Sequence, residues 1–144
     1  MFYKGDFAFT SEATFRGHPD KVCDQIADSI LDEFLATDPD ARAAIEVMIH
    51  PNRVAVAGET YSKFHLSNTQ IDFIIRDTLM KIGYVENDSF AWDNVNVSVN
   101  LYNQSPEICD AACFLTEEEK ASDQGSVFGY AINHNDLLIP DPSH

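Results

Sequence analysis

Two stretches of the chain carry apolar residues at helical spacing. The first begins around His18-Pro19-Asp20, where proline suits the first helical turn and aspartate suits the positive end of the helix dipole. It ends at Asp38-Pro39-Asp40. Its apolar residues form one stripe for burial, comprising Val22, Ile26, Ile30 and Phe34, supplemented by Leu31 and Leu35. The second helix covers roughly residues 69–82, with Gly83 as its C-terminal cap, and its inward positions are Ile71, Ile74, Ile75, Leu79 and Ile82.

Between and after these helices the apolar period changes from helical to alternating. Residues 45–49 and 53–60 alternate in this way, and the short Pro51-Asn52 connection predicts that they form a hairpin. A third alternating segment, residues 94–101, places valines and a leucine on one face and Asn or Ser on the other. The order helix, hairpin, helix, strand predicts an α+β fold, a two-layer sandwich with both helices on one face of a mostly antiparallel sheet.

The same pattern suggests how the chain is divided. We expect a compact α+β domain at residues 13–103, preceded at 1–12 by a segment with a short strand around Ala8 to Thr10. Residues 104–124 hold a proline and a run of three glutamates without sustained periodicity, which favours a flexible, lid-like loop. Residues 125–144 are expected to begin a following segment that is incomplete here.

Charge restricts the function. Nine Lys and Arg residues stand against 24 Asp and Glu residues, which gives a formal net charge of −15. Such a chain lacks the basic surface that binds nucleic acid or anionic lipid, so neither is an expected partner. It would also repel a free polyphosphate, and a chain of this kind that handles ATP must borrow positive charge from metal ions or another polypeptide.

Membrane and secretory signals are not expected from the sequence. No apolar run approaches the ~20 residues of a membrane span, and the first residues lack the pattern of a signal peptide. Three cysteines form neither an even disulfide set nor a zinc pattern, and the lone pair Cys109 and Cys113 is interpreted as two ordinary loop cysteines. The expected location is the cytoplasm.

Two groups of residues are candidates for chemistry. Gly17 to Lys21 lie at a helix start, where backbone N–H groups attract anions and a His beside an Asp can serve phosphate and a divalent metal. The alternative is ordinary helix capping. Glu46 and Glu59 lie within apolar strands, where a buried carboxylate would need a cation or ligand as partner. The alternative is that both face solvent, although Gly58 before Glu59 allows a close backbone approach.

Six blocks of the chain, taken in order, resemble the S-adenosylmethionine synthetases. Single blocks are weak evidence, but their shared order and spacing over nearly the whole chain are specific. The blocks are residues 9–32, which contain Gly-His-Pro-Asp-Lys, then 38–42, 57–60 (Ala-Gly-Glu-Thr), 82–84 (Ile-Gly-Tyr), 104–108 (Gln-Ser-Pro-Glu-Ile) and 122–131, which begin Ser-Asp-Gln-Gly.

The resemblance implies a methionine adenosyltransferase, which forms S-adenosylmethionine from ATP and L-methionine with release of phosphate and pyrophosphate. It implies that His18 is catalytic and contacts ATP, and that Asp123 contacts ATP and methionine. Glu59 and Gln104 would hold methionine. As cofactors it implies Mg²⁺ at Asp20 and K⁺ at Glu46. The segment between Gln104 and Asp123 would be the lid.

This sequence also departs from the family pattern. Asn103 stands where the family usually has Lys, and Lys120-Ala121-Ser122 replace a glycine-rich lead, which reduces the backbone freedom of a lid hinge. The family has three domains and a site between subunits, so the chain is expected to need a complementing C-terminal chain or a homo-oligomer. The alternative is a non-catalytic ligand-binding or interaction module that modulates a full-length synthetase.

Overall fold

The computed structural model describes residues 10–85, 90–104 and 125–139. The chain divides into two compact units, one comprising residues 15–120 and the other residues 1–14 with 121–144. The described part of the larger unit holds five elements: α1 (Pro19–Thr37), β1 (Arg42–His50), β2 (Arg53–Tyr61), α2 (Asn68–Ile82) and β3 (Asn96–Asn103).

Both helices begin and end where local chemistry stops the hydrogen-bond ladder. In α1, Pro19 occupies the first turn and the side chain of His18 accepts the backbone N–H of Asp20. Helix α2 has a reciprocal capping box between Ser67 and Gln70. At its other end Gly83 adopts a positive φ of 117°, and the predicted glycine cap is therefore confirmed.

The sheet order is β1-β2-β3. Strands β1 and β2 form the predicted antiparallel hairpin, in which His50 pairs with Arg53 and Asn52 takes the positive φ of the turn, 59°. Strand β3 pairs with β2 in parallel, so the described sheet is mixed. The reason is the connection: α2 lies between β2 and β3 and returns the chain to the end where β2 began.

Arg76 holds the residues that come just before β3. Its guanidinium donates to the carbonyls of Trp92 and Val95 at 2.6 and 3.0 Å, and it also pairs with Asp72 one turn earlier on the helix. A buried or half-buried loop must satisfy its carbonyl groups, and one planar cation here satisfies two of them.

The core lies between the helix layer and one face of the sheet. Cross-strand rows such as Val47–Val56–Val99 present valines to the helices, and Val56 has no exposed surface. The helices contribute the predicted stripes, of which Val22, Ile26, Ile30, Phe34, Ile71, Ile75 and Leu79 are buried. The α+β class and the placement of both helices on one sheet face are confirmed.

The opposite face of the sheet is exposed. Met48 retains 66% and Tyr102 70% of their accessible surface, and the exposed positions of β1 alternate strictly with half-buried ones. Residues 125–139, described by themselves, contain no helix or strand, and Val127 and Phe128 are almost fully exposed there.

Several predicted features lie outside the described residues. They are the short strand at its positions before Thr10, the loop from residue 105 onward with Cys109 and Cys113, and Asp123. The boundaries after residues 12 and 103 remain predictions.

Candidate functional site

The turn that leads into α1 is held by hydrogen bonds to its carbonyl groups. The backbone N–H of His18 donates to the Phe15 carbonyl at 2.9 Å. The amide of Gln25, two turns along the helix, donates to the Arg16 carbonyl at 3.1 Å. A side chain of α1 therefore helps to hold the turn that precedes this helix.

A third bond reaches this turn from α2. The hydroxyl of Tyr84, which follows the C-cap of α2, donates to the Gly17 carbonyl at 2.7 Å across 67 positions of sequence. An added Cβ on residue 17 would lie 3.6 Å from that hydroxyl, which is an ordinary van der Waals distance, so the tyrosine lies directly against the glycine. The Gly-His pair is thus tied to both helices.

His18 is the N-cap of α1, and this sets its chemistry. Its Nδ1 accepts the backbone N–H of Asp20 at 3.2 Å. A neutral imidazole that accepts at Nδ1 carries its proton on Nε2, so the cap selects the Nε2–H tautomer. The side chain is 41% exposed, which leaves Nε2–H as the donor for a ligand.

Asp20 presents a carboxylate beside this imidazole. Its side chain is 91% exposed, and the nearer oxygen lies 4.0 Å from Nδ1 of His18. Helix capping and ligand binding, the two interpretations of this turn, are therefore compatible. His18 caps the helix through Nδ1 and keeps Nε2 for a ligand, and the Asp20 carboxylate takes no part in the cap.

Glu46 and Glu59 lie on the exposed face of the sheet, as the solvated-face alternative predicts for the chain by itself. Glu46 pairs with Ala57 and Glu59 with Ala44, which makes the two glutamates diagonal neighbours on adjacent strands. Gly58 approaches the neighbouring strand rather than a ligand, since an added Cβ would lie 2.0 Å from the carbonyl oxygen of Ala44.

Gln104 joins Glu59 at one end of the sheet. It follows β3 directly, and its backbone N–H donates to the Thr60 carbonyl at 2.8 Å. Glu59 pairs with Tyr102, two residues before Gln104, so both residues lie at the C-terminal ends of the parallel strands β2 and β3. The structure brings these two candidates together.

His18 and Asp20 lie at the other end of the domain. The Cys23 thiol, in the first turns of α1, contacts the backbone of Ile49 at the hairpin end of the sheet. The C-terminal end of α1, by contrast, lies at the end of the sheet where β2 finishes, because its C-cap Asp38 accepts the hydroxyl of Ser62, the residue after β2. Helix α1 spans about 28 Å between these ends. Within one copy the candidates therefore form two separate groups.

Burial also decides the state of Cys23. Burial raises the pKa of its thiol, and the neighbouring Asp20 and Asp24 act in the same direction. A raised pKa keeps the thiol protonated at neutral pH, which disfavours a role as a thiolate nucleophile.

Metal-binding capacity is modest in the described residues. They contain no cluster of three or more His, Cys, Asp or Glu side chains able to hold a metal ion. An exposed single carboxylate nevertheless fits Mg²⁺, which binds proteins through one or two carboxylates and takes its other ligands from water and substrate phosphates. Asp20 meets that requirement, and Glu46 offers one oxygen ligand to a larger cation.

A groove on the described surface lies away from these candidate residues. It runs between α1 and α2, has a volume of about 730 Å³, and is lined by residues such as Glu33, Phe73 and Asp77. None of the candidate residues line it, and its carboxylates oppose an anionic ligand. No helix in the described residues is long and apolar enough to cross a membrane.

The geometry defines an α+β domain with an N-capped His at one end and a glutamate–glutamine pair at the other. Comparison with known proteins gives its family. The sequence matches the family described as "S-adenosylmethionine synthetase, N-terminal domain" over residues 6–106. The chain belongs to that family.

Individual relatives agree with this assignment. The chain is 43% identical to an S-adenosylmethionine synthase of Acidiphilium cryptum over 96% of its own length and 35% of the relative. It is 41% identical to one of Parvibaculum lavamentivorans over 96% of its length and 36% of the relative. A solved S-adenosylmethionine synthetase from Campylobacter jejuni matches with a TM-score of 0.59 and 39% identity over 65% of this chain and 26% of that one. The chain thus spans about a third of the length of the two synthases and about a quarter of the solved one.

Some residues that build the site carried no sequence signal of that role. In the sequence, Tyr84 is marked only as part of the Ile-Gly-Tyr block, and Gln25 only as part of the block at residues 9–32. Their partners Gly17 and Arg16 are 67 and 9 positions away, respectively. A hydrogen bond from a side chain to a distant carbonyl leaves no periodic trace, so a single sequence does not reveal it.

Proposed function

We propose that this chain supplies the N-terminal part of a methionine adenosyltransferase. In the reaction, the methionine sulfur attacks C5′ of ATP and forms the S–C5′ bond while the C5′–O bond breaks. The tripolyphosphate leaves with the bonding electron pair and is then hydrolysed to pyrophosphate and phosphate. Family membership and the similarity to S-adenosylmethionine synthases support this proposal.

The observation that carries the proposal is the N-cap of His18. With Nδ1 occupied by the Asp20 N–H, the ring offers Nε2–H as a donor. Negative charge develops on the leaving oxygen as the C5′–O bond breaks, and a donor fixed before reaction stabilises that charge. We assign His18 to the leaving tripolyphosphate and to ATP binding.

Metal ions would supply the positive charge that the chain lacks. Asp20 would provide one carboxylate to Mg²⁺, whose chemistry here is to neutralise the phosphate oxygens. Glu46 would provide an oxygen to K⁺. Because the chain has a formal charge of −15, these carboxylates need cations before an anionic substrate can approach.

Methionine would be held at the opposite end of the sheet. Glu59 carries a charge suited to the ammonium group of the amino acid, and Gln104 has an amide that can donate and accept hydrogen bonds nearby. Asp123, outside the described residues, would contribute to ATP and methionine binding. The segment between residues 104 and 123 would act as a lid over the bound substrates.

The separation of the two residue groups supports an intermolecular site. His18 and Glu59 lie at opposite ends of the domain, so substrates that react together cannot contact both within one copy. A second copy or a complementing C-terminal chain would bring them together and add cationic groups for the tripolyphosphate. We place this assembly in the cytoplasm, which suits three cysteines without a disulfide pattern.

The same charge balance favours a second candidate function. A non-catalytic module that binds and modulates a full-length synthetase needs no cationic groups for a tripolyphosphate, and the −15 net charge suits such a role. In that case its open sheet face and exposed glutamates would serve association rather than turnover.

One experiment separates the two functions. The purified chain is incubated with ATP, methionine, Mg²⁺ and K⁺, alone and with the part of the Acidiphilium cryptum synthase that follows the matched region. S-adenosylmethionine is measured by mass spectrometry, and that partner part alone is the control. Product only in the mixture is the expected result. Absence of product with both chains folded and present would favour the non-catalytic module, and product from the chain alone would overturn the need for a complement.

A further inference from the structure

We propose that Tyr84 is a positioning residue for His18. This inference rests on the proposed function in one respect, namely that His18 acts on the leaving group. Its structural part concerns only this chain: the tyrosine hydroxyl holds the Gly17–His18 peptide in the orientation that the N-cap needs.

The hydroxyl of Tyr84 forms a short bond to the turn. It donates to the Gly17 carbonyl at 2.7 Å, and that carbonyl belongs to the peptide group whose nitrogen is the backbone N of His18. The same nitrogen donates to the Phe15 carbonyl at 2.9 Å. Both ends of one peptide plane are therefore held, one of them from a different helix.

Tyr84 is itself held rigidly. Its backbone N–H donates to the Leu79 carbonyl at 3.0 Å as part of the C-cap of α2. Its carbonyl accepts the Trp92 N–H at 3.1 Å. Its ring meets that of Phe90 edge to face, with centroids 5.2 Å apart. A side chain whose backbone and ring are both held keeps its hydroxyl in one position, as is needed to support a functional side chain.

The peptide plane matters because it sets the backbone of His18. The residue has φ −60° and ψ 136°, the extended conformation of an N-cap, and in this conformation Nδ1 reaches the Asp20 N–H. Rotation of the Gly17–His18 peptide would change that φ angle. Loss of the tyrosine hydroxyl would therefore loosen the cap, and with it the direction of Nε2–H.

A purely structural role makes a different prediction. If Tyr84 served only to pack α2 against the start of α1, its ring would matter and its hydroxyl would not. Two substitutions separate these contributions. Tyr84→Phe removes the hydroxyl and keeps the ring, whereas Phe90→Leu removes the edge-to-face contact and keeps the hydroxyl.

The first test uses the chain alone and native-state NMR. At a pH where the imidazole is neutral, we expect Tyr84→Phe to shift the ring ¹⁵N resonances of His18 and the amide resonance of Asp20, and to speed exchange of that amide by about two- to tenfold. We expect Phe90→Leu to lower the unfolding midpoint and to leave these resonances in place. Unchanged His18 and Asp20 resonances in Tyr84→Phe, or equal shifts in Phe90→Leu, would overturn the proposal.

The second test uses the complemented assembly. Because misplacement of a catalytic group is costly, Tyr84→Phe should lower kcat by about 10- to 100-fold while KM for methionine stays within about twofold. A rise in KM with unchanged kcat would contradict the assigned role. If the assembly forms no product, the proposed function fails, and the NMR result still decides whether Tyr84 positions His18.

Discussion

The carboxylate of Asp38 accepts the backbone N–H of Lys63 at 2.7 Å and joins the end of α1 to the end of β2. The same oxygen accepts the Ser62 hydroxyl at 2.9 Å, and the other accepts the Asp40 N–H at 3.3 Å. The side chain is buried, with 5% of the residue exposed. One carboxylate therefore stabilises both the turn after α1 and the turn after β2.

This arrangement predicts a pH dependence. The hydrogen bonds from Lys63 and Ser62 lower the pKa of Asp38 in the folded state. The stabilisation is therefore complete above the unfolded value of about 3.9 and is lost as pH falls through the lower folded pKa. We expect Asp38→Asn to lower the urea midpoint at pH 7 and to flatten the decline of stability in acid. Asp40→Asn, at an exposed surface pair with Lys63, is the control and should change little.

His18 should show two separable roles. Asn is as good an N-cap as any residue, so His18→Asn should keep the thermal stability of the chain but abolish activity in the complemented assembly. His18→Ala should lose the activity and also about 1 kcal/mol of the free energy of unfolding. Equal activity of His18→Asn and the unsubstituted chain would remove the imidazole from the mechanism.

Gly58 should be intolerant of any side chain. Its φ is +148°, and a Cβ would lie 2.0 Å from the Ala44 carbonyl oxygen, so Gly58→Ala combines backbone strain with overlap. We expect a loss of about 3 kcal/mol or more in chemical denaturation. Gly83→Ala is the matched control, since its φ is +117° and no atom lies within 4 Å. It should cost only the strain, about 1–2 kcal/mol. Similar losses in both variants would contradict the close approach.

The two faces of the sheet should respond differently to truncation. Ile26 packs under the sheet without exposed surface, and Ile26→Ala should lower the free energy of unfolding by about 2–5 kcal/mol. Met48→Ala, on the face where that residue is 66% exposed, should change it by less than about 0.5 kcal/mol. A large loss of stability for Met48→Ala in the isolated chain would show that this face is covered, for example by a second copy. Dilution would then reduce the difference in stability between Met48→Ala and the unsubstituted chain.

The sequence predicted the elements because each carries its own local signal. Pro19 and Gly83 mark helix ends through their backbone preferences, and alternation marks strand faces. Alternation does not state strand direction, however, since residues 96–103 show the same faces whether they run parallel or antiparallel to β2. The parallel pairing results from the path that α2 takes back across the sheet, and the local pattern of residues does not contain that path.

The candidate site was predictable to the same limited degree. Alternation placed Glu46 and Glu59 on one face, but it could not decide whether that face is covered. Asp38 was expected only to end a helix, and its bond to Lys63 spans 25 positions. The separation of His18 from Glu59 also depends on the direction in which α1 runs along the sheet. Such relations arise from tertiary structure, so the resemblance to a family could name the residues without giving their distances.

The parallel pairing of β2 and β3 has a consequence for the order of folding. The hairpin of β1 and β2 can close as soon as Tyr61 is available, because its contacts are local. Strand β3 cannot join until the chain has been made to Asn103, and a loop that includes α2 must close first. During synthesis the central strand therefore keeps one unpaired edge, with valines at 54 and 56, for the time needed to add about 40 residues at 5–20 residues per second, or about 2–8 s.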